Sequence, residues 1–461
     1  MAWLLEVWLP LRLAALFVVS AGVASLLNAA VYAWAWERRL VSPWQPAAAG
    51  ASPRTRLDRI PIVGWLRLRR DAPVLGRGFW VRPMLIEAGF AAGIAALYWW
   101  EVDQLGLIRP QLADLAQRIA APLPTVDPAS IAGPLHAQFF AHAVLAALMT
   151  IATFIDFDDR IIPDEVTFPG TLAGLLLAAT LPLCLLPSVQ ERFAPPAAGV
   201  VVEAPGGAAL TGPDGGALYL VPTHVAAPNA WPAALAGKPS RASLLLGLGC
   251  FWLWCFAIAD RRWPGRGPAL KRFGEKLRLQ LARLHRSLTT RPIREALLAG
   301  TLLIAMVWYG GGPSWVALLT ALVGLVVSGG LVWAVRIIGT AAMGREAMGF
   351  GDVTLMMMVG TLTGWQAAPL IFFLAPAAGL VLAVFNLLLR GDHAIPYGPF
   401  LCLATVVVIA GWGHLWVWAE LLYAVGWLVP GVLVVCFVLM GVLLGMLRGL
   451  KALLGVAGED Y

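Results

Sequence analysis

The stretch Gly344-Arg345-Glu346-Ala347-Met348-Gly349-Phe350-Gly351-Asp352-Val353-Thr354-Leu355 places a carboxylate directly before a strongly apolar run. An ionisable residue at such a junction is costly unless it has a role, so Asp352 is a functional candidate. A second acidic segment, Phe154-Ile155-Asp156-Phe157-Asp158-Asp159-Arg160-Ile161-Ile162-Pro163-Asp164-Glu165, occupies the same kind of junction 196 positions earlier (352 − 156 = 196). Glycine or proline flanks each acidic group and loosens the helix there. The pattern points to two carboxylates that folding brings together, with the rest of the chain as their scaffold.

Composition sets the solvent. Of 461 residues, 60% are hydrophobic and 13% charged, and the mean hydropathy is +0.78. A soluble globular chain carries about 25% charged residues, so the fold class expected is an all-α, polytopic membrane protein. Cys184, Cys250, Cys255, Cys402 and Cys436 all lie in apolar runs without a CxxC, which reads as packing and implies neither a disulfide framework nor a metal site. The six histidines are scattered without ligand spacing. The net charge of +7 is gathered in a few loops, as membrane topology requires, and no nucleic-acid motif is present. Residues 1–39 read as a retained first membrane helix, because Glu6 precedes the apolar run and that run is too long for a signal peptide.

A span needs about 20 apolar residues. Eleven candidates follow, at 11–35, 83–100, 137–155, 166–187, 242–259, 295–310, 313–335, 353–366, 367–389, 398–418 and 420–447. The loops 36–82 and 260–294 are dense in Arg and Lys and are assigned to the cytoplasm. Counting from the first puts 101–136 and 188–241, both poor in Lys and Arg, outside. The same count returns Asp156–Asp164 and the segment 336–352 to the cytoplasmic face. The outer stretch 188–241 reads as a loop with a hairpin around Val200–Leu220. The inner stretch 270–288 has helical spacing and a basic face, suited to anionic lipid headgroups.

Peptide hydrolysis by carboxylates needs two that share a proton, one acting as base on a water while the other donates to the substrate carbonyl. The glycines before Asp352, Gly349 and Gly351, let the backbone turn and let an extended substrate approach. Pro163 suits a helix start. Glu346 and Asp164, with Asp158 and Asp159, are candidates to orient the pair or the substrate. From these residues alone, an ion or proton path in a transporter is the obvious competitor, since it uses intramembrane carboxylates too.

These segments resemble those of the prepilin peptidases, the type IV leader peptidases, a family of polytopic membrane aspartic proteases. Asp156 to Asp164 is similar to the family's first catalytic segment, Asp followed by Leu/Ile-Pro-Asp. Glu346 to Asp352 is similar to its second, Glu-Ala-Met-Gly-x-Gly-Asp. Ile395-Pro396-Tyr397-Gly398-Pro399-Phe400 resembles a further family stretch. The resemblance implies catalytic roles for Asp156 and Asp352, with Gly349, Gly351, Asp164 and Glu346 in support. It implies type IV prepilin or pseudopilin substrates at the cytoplasmic face of a bacterial inner membrane, and no cofactor for proteolysis. An inactive relative that keeps the carboxylates for structure is the alternative within the family.

The N-terminal part resembles the family as well, at Ser25 to Tyr32, Ile60-Pro61-Ile62, Trp65-Leu66, Arg82-Pro83 and Glu87. In the family this region is tied to methylation of the new N-terminus from S-adenosylmethionine, and the surviving positions allow that activity here. Most members carry two CxxC pairs in this loop, suited to zinc, whereas this loop has no cysteine. Thr354 stands where a Lys is common. The two Asp residues are also further apart than is usual. The expected division is therefore 1–135, with the methyltransferase-like loop; 136–187, with the first Asp; 188–294, an insertion; and 295–461, with the second Asp.

Overall fold

The computed structural model describes residues 3–36, 41–118, 128–188, 240–259, 291–344, 346–389 and 396–453, with 200–201, 219–220, 223–224 and residue 235. Every expected span is a helix: α1 Leu9–Trp34, α2 Val81–Tyr98, α3 Pro128–Asp159, α4 Asp164–Thr180, α5 Arg241–Ala259, α6 Arg291–Gly310, α7 Gly312–Met343, α8 Phe350–Thr363, α9 Ala367–Leu389, α10 Gly398–Ala424 and α11 Leu428–Leu453. Among the described residues, seven of these are long and apolar enough to cross a membrane. The protein is an all-α polytopic membrane protein. Two antiparallel two-residue strand pairs, Pro187–Ser188 with Thr223–His224 and Val200–Val201 with Tyr219–Leu220, are the described extended structure. The second closes the expected hairpin. The basic stretch 270–288 lies outside the described residues.

Local sequence explains most helix ends. Proline at the first or second position opens α1, α7 and α10, where its missing N–H costs nothing. Gly344 caps α7 in the left-handed conformation, its N–H bonded to the Thr340 carbonyl, and Gly364 ends α8 at φ +85°. Several boundaries differ from expectation: the helix expected at 137–155 starts at Pro128, that at 166–187 ends at Thr180, and that at 420–447 starts at Leu428. The span expected at 313–335 continues as helix to Met343, so Arg336 belongs to α7 and not to a loop.

The centre of the bundle is α7 with α8 laid along it. Every α8 residue from Val353 to Thr363 is buried. At 14 residues α8 is about 21 Å long, shorter than a bilayer core of about 30 Å. It is enclosed by other helices instead of facing lipid. Small residues make this enclosure possible. A Cβ on Gly324 of α7 would collide with the Gly360 carbonyl of α8, and a Cβ on Gly360 would collide with the Gly324 carbonyl. On the opposite flank, Gly170 and Gly174 of α4 lie against Met358 and Thr361 of α8.

The three N-terminal spans α1, α2 and α3 share a buried polar seam. His142 Nδ1 lies 2.7 Å from Glu101 Oε1, and both side chains are fully buried. Arg12 donates to the Tyr98 hydroxyl, which also meets His136 Nε2 at 3.2 Å. These pairings follow the rule that polar groups inside a membrane pair with one another.

The glycine contact makes a definite prediction. Gly360→Ala forces α7 and α8 apart and destabilises the bundle by about 1–3 kcal/mol, which a lowered thermal midpoint in detergent would register. Gly249→Ala, where nothing approaches the added carbon within 4 Å, is the matched control and leaves the midpoint in place.

Candidate active site

Asp156 sits one turn before the end of α3, which stops when Arg160 enters the left-handed region at φ +57°, its N–H bonded to the Asp156 carbonyl. The chain then turns through Ile161 and Ile162 to Pro163, the N-cap of α4, and Asp164 opens that helix. An acidic residue in a first helical turn is favoured by the helix dipole. Asp352 has the same setting in α8, three positions after its N-cap Gly349.

The two motifs meet at Ile162. A Cβ added to Gly351 would come within 2.9 Å of the Ile162 Cβ, so only glycine lets the start of α8 lie against this turn. Gly398, the first residue of α10, closes the site from the third side. A Cβ there would stand 2.5 Å from Asp156 Oδ2 and 2.9 Å from Ile162 Cδ1, and its N–H approaches the Asp156 carboxylate. Asp156 and Asp352 lie within electrostatic reach of each other, and Asp156 Oδ2 is buried without a hydrogen-bond partner. The geometry thus unites Asp156, Asp352, Gly349 and Gly351 with the later Gly398 segment.

The supporting acidic residues go elsewhere. Asp158 receives Arg82 of α2 at 2.7 and 2.9 Å, and Arg82 also stacks on Phe154. Asp159 accepts the Trp36 N–H. Glu346 is exposed and pairs at 2.6 Å with Arg336. Arg336, which the sequence reading passed over, is the residue that shapes the approach to Asp352. Buried on α7, it donates from Nε to the Met348 carbonyl at 3.0 Å and lies over the Phe350 ring. Its signal was present in the sequence: a lone cation in an apolar run. Thr354, in place of the family's Lys, donates to the Gly351 carbonyl at 3.0 Å.

The N-terminal positions also converge. The Asn28 amide donates to the Pro83 carbonyl and to Glu87, and Glu87 accepts the Ile62 N–H at 2.6 Å. Ile62 is at φ +63°, ψ −61°, with the Val63 N–H bonded to the Pro61 carbonyl, a three-residue turn that strains a β-branched residue. The loop carrying it is clasped by ion pairs. Asp71 is bound by Arg54 at 2.6 Å and by the Ser52 N–H, and Asp58 by Arg70, Arg67 and Thr55. Burial pushes both carboxyls up, but these hydrogen bonds and the guanidinium charges more than offset it, holding both below the ordinary 3.8.

Residues 288–384 match the sequence model of the type IV leader peptidase family. Similar curated proteins are the prepilin leader peptidase/N-methyltransferases of Aeromonas salmonicida, Pseudomonas putida and Pseudomonas aeruginosa. The first is 32% identical over 138 residues, 28% of this chain and 46% of that protein. The second is 35% identical over 113 residues, 24% and 37% respectively. The third is 33% identical over 124 residues, 25% and 42%. The alignments span less than half the length of each relative. No solved structure matches. Fold and site together define a polytopic helical membrane protein in which a buried Asp156 and a half-buried Asp352 lie within electrostatic reach of each other. Within it, the segment holding Asp352 is similar to the type IV leader peptidase family.

Two outcomes are expected here. Arg336→Ala removes the partner of Glu346 and of the Met348 carbonyl and loosens the segment that leads to Asp352, and Arg336→Lys restores little of it, since a point charge cannot serve two acceptors and a ring together; the thermal midpoints of the two variants in detergent check this. For the loop, folded pKa values below the unfolded ones mean stability that is present above about pH 4 and lost as pH falls below it. Protease digestion within 41–80 should therefore accelerate on acidification, and Asp71→Ala should produce that lability at neutral pH.

Proposed function

We propose that this protein is a membrane aspartic endopeptidase that cleaves leader peptides of type IV prepilins or pseudopilins, with Asp156 and Asp352 as the catalytic pair. The observation that supports the reading is the meeting of three sequence-distant segments at Ile162, with Asp156 and Asp352 within electrostatic reach of each other. The printed names of the similar proteins supply the substrate class. The supporting roles fall to Gly351, which permits the close approach at Ile162, and to Gly349, the N-cap of α8 beside Asp352. Glu346 acts by engaging Arg336, and Asp164 by opening α4.

In the proposed reaction the pair holds one proton. The ionised carboxylate takes a proton from a water as its oxygen attacks the scissile carbonyl carbon. The protonated partner donates to the carbonyl oxygen, and the tetrahedral species collapses with the amine as leaving group after protonation. No covalent enzyme intermediate forms. The arginine-rich loops 36–82 and 260–294 support a cytoplasmic site in a bacterial inner membrane, the side on which a basic leader would lie.

The region 1–135 is the proposed seat of N-methylation, with 136–187 and 295–461 as the peptidase and 188–294 as an insertion. S-adenosylmethionine, when bound, would supply an electrophilic methyl group. Asn28 Oδ1 is buried without a partner beside Glu87, an acceptor pair suited to a cationic ligand.

The test is cleavage of a co-expressed prepilin. Asp156→Asn and Asp352→Asn should each lower turnover at least about a hundredfold, the scale of general acid–base loss, with membrane content unchanged. Mass analysis of the mature N-terminus reads methylation in the same sample. Cleavage surviving in either variant removes that Asp from the pair.

A further inference from the structure

Resting on the peptidase reading, we propose that the Tyr397 hydroxyl is a third catalytic group, donating a hydrogen bond to the scissile carbonyl oxygen as it becomes tetrahedral. Tyr397 is the N-cap of α10 and directly precedes Gly398, the residue that approaches Asp156. Its ring is half-buried against the core and held edge-on by Phe400, with centroids 6.4 Å apart at 71°. The phenol lies within electrostatic reach of Asp352. Tyr397 thus stands at the junction of both carboxylates, on the segment that closes the site.

What singles out this hydroxyl is that it is uncommitted. Tyr98 and Tyr423, the other deeply buried tyrosines with mapped hydroxyls, each use theirs: Tyr98 with Arg12 and His136, Tyr423 with the Gln366 carbonyl at 2.7 Å. Among the described residues the Tyr397 hydroxyl makes no hydrogen bond. A buried phenol normally finds a partner. A half-buried one beside a catalytic carboxylate, free on its polar end, is arranged for a partner that arrives with the substrate.

The chemistry has room for it. A carbonyl oxygen has two lone pairs, so it accepts one hydrogen bond from the protonated carboxyl and a second from the phenol. The second bond strengthens as negative charge develops, which is the condition for lowering a barrier instead of merely binding substrate. No proton leaves the phenol, whose ordinary pKa of about 10 keeps it a donor at working pH. The water proton, the carboxyl proton and the leaving amine balance as before.

Tyr397→Phe removes one oxygen and keeps the ring against Phe400. With purified protein and a prepilin substrate, kcat should fall about a hundredfold, the scale of losing one such donor, while KM changes less than about twofold. A peptide bearing a hydrated difluoroketone, a tetrahedral mimic, should bind the variant weaker by a comparable factor. An uncleavable ground-state peptide should bind both forms equally. A kcat within threefold of wild type, with Asp352→Asn inactive in the same assay, overturns the role of Tyr397 and leaves the dyad standing. Equal loss of affinity for both peptides also overturns it, by making Tyr397 a packing residue. Absence of cleavage by the wild type brings down the peptidase reading and this inference with it.

Discussion

The side chain of Ile162 is wedged between two glycines, Gly351 on one side and Gly398 on the other, and the arrangement of the site depends on that wedge. Neither glycine position has space for a methyl group. Asp156 lies a turn before Ile162 on α3, Asp352 one residue after Gly351 on α8, and the Gly398 N–H comes from the first turn of α10. Dispersion contact at one apolar side chain therefore fixes the mutual position of three polar elements. Packed cores transmit such constraints because they contain little free volume.

Placing carboxylates this deep is expensive, and the surrounding structure offsets the cost unevenly. Asp158 and Asp159 are drawn away by Arg82 and by the Trp36 N–H, which leaves the Asp156 oxygen unpaired. Asp352 lies in the first turn of α8, where the helix dipole favours a negative charge. Arg336 spends its charge on Glu346, its Nε–H on a backbone carbonyl and its plane on Phe350. The pattern is one of neighbours satisfied and the central pair left available. Buried groups left incompletely satisfied in this way are characteristic of reactive sites.

Much of this was legible from residues alone. Asp156 and Asp352 stood out because a charge at an apolar junction is costly, and the eleven helices because hydropathy reports the solvent directly, although only seven of them are long and apolar enough to cross a membrane. Pro163 announced the start of α4, and the turn at Val200–Leu220 closed as a strand pair. The roles of Ile162 and Gly398 could not be read, because an isoleucine in a loop and a glycine before a proline carry no record of distant partners. Arg336 was legible in principle as a lone cation in an apolar run, but the span expected at 313–335 stopped just before it. The clasp of Asp58 and Asp71 was hidden among arginines that read simply as a topology signal.

The two carboxylates are separated by nearly two hundred residues, and α5 and α6 lie in the stretch between α4 and α7. The chain-entropy cost of bridging such a gap rises only logarithmically, by about 0.6 kcal/mol for each doubling of length. Contacts between α4, α7 and α8 are made directly and do not depend on the path that joins them. The segment between is therefore nearly free cargo. It can lengthen, shorten or acquire its own spans, as α5 and α6 illustrate, with Gly247 of α5 set against Trp315 on α7. In this architecture a lineage can graft new surface onto the bundle without disturbing the geometry at its heart.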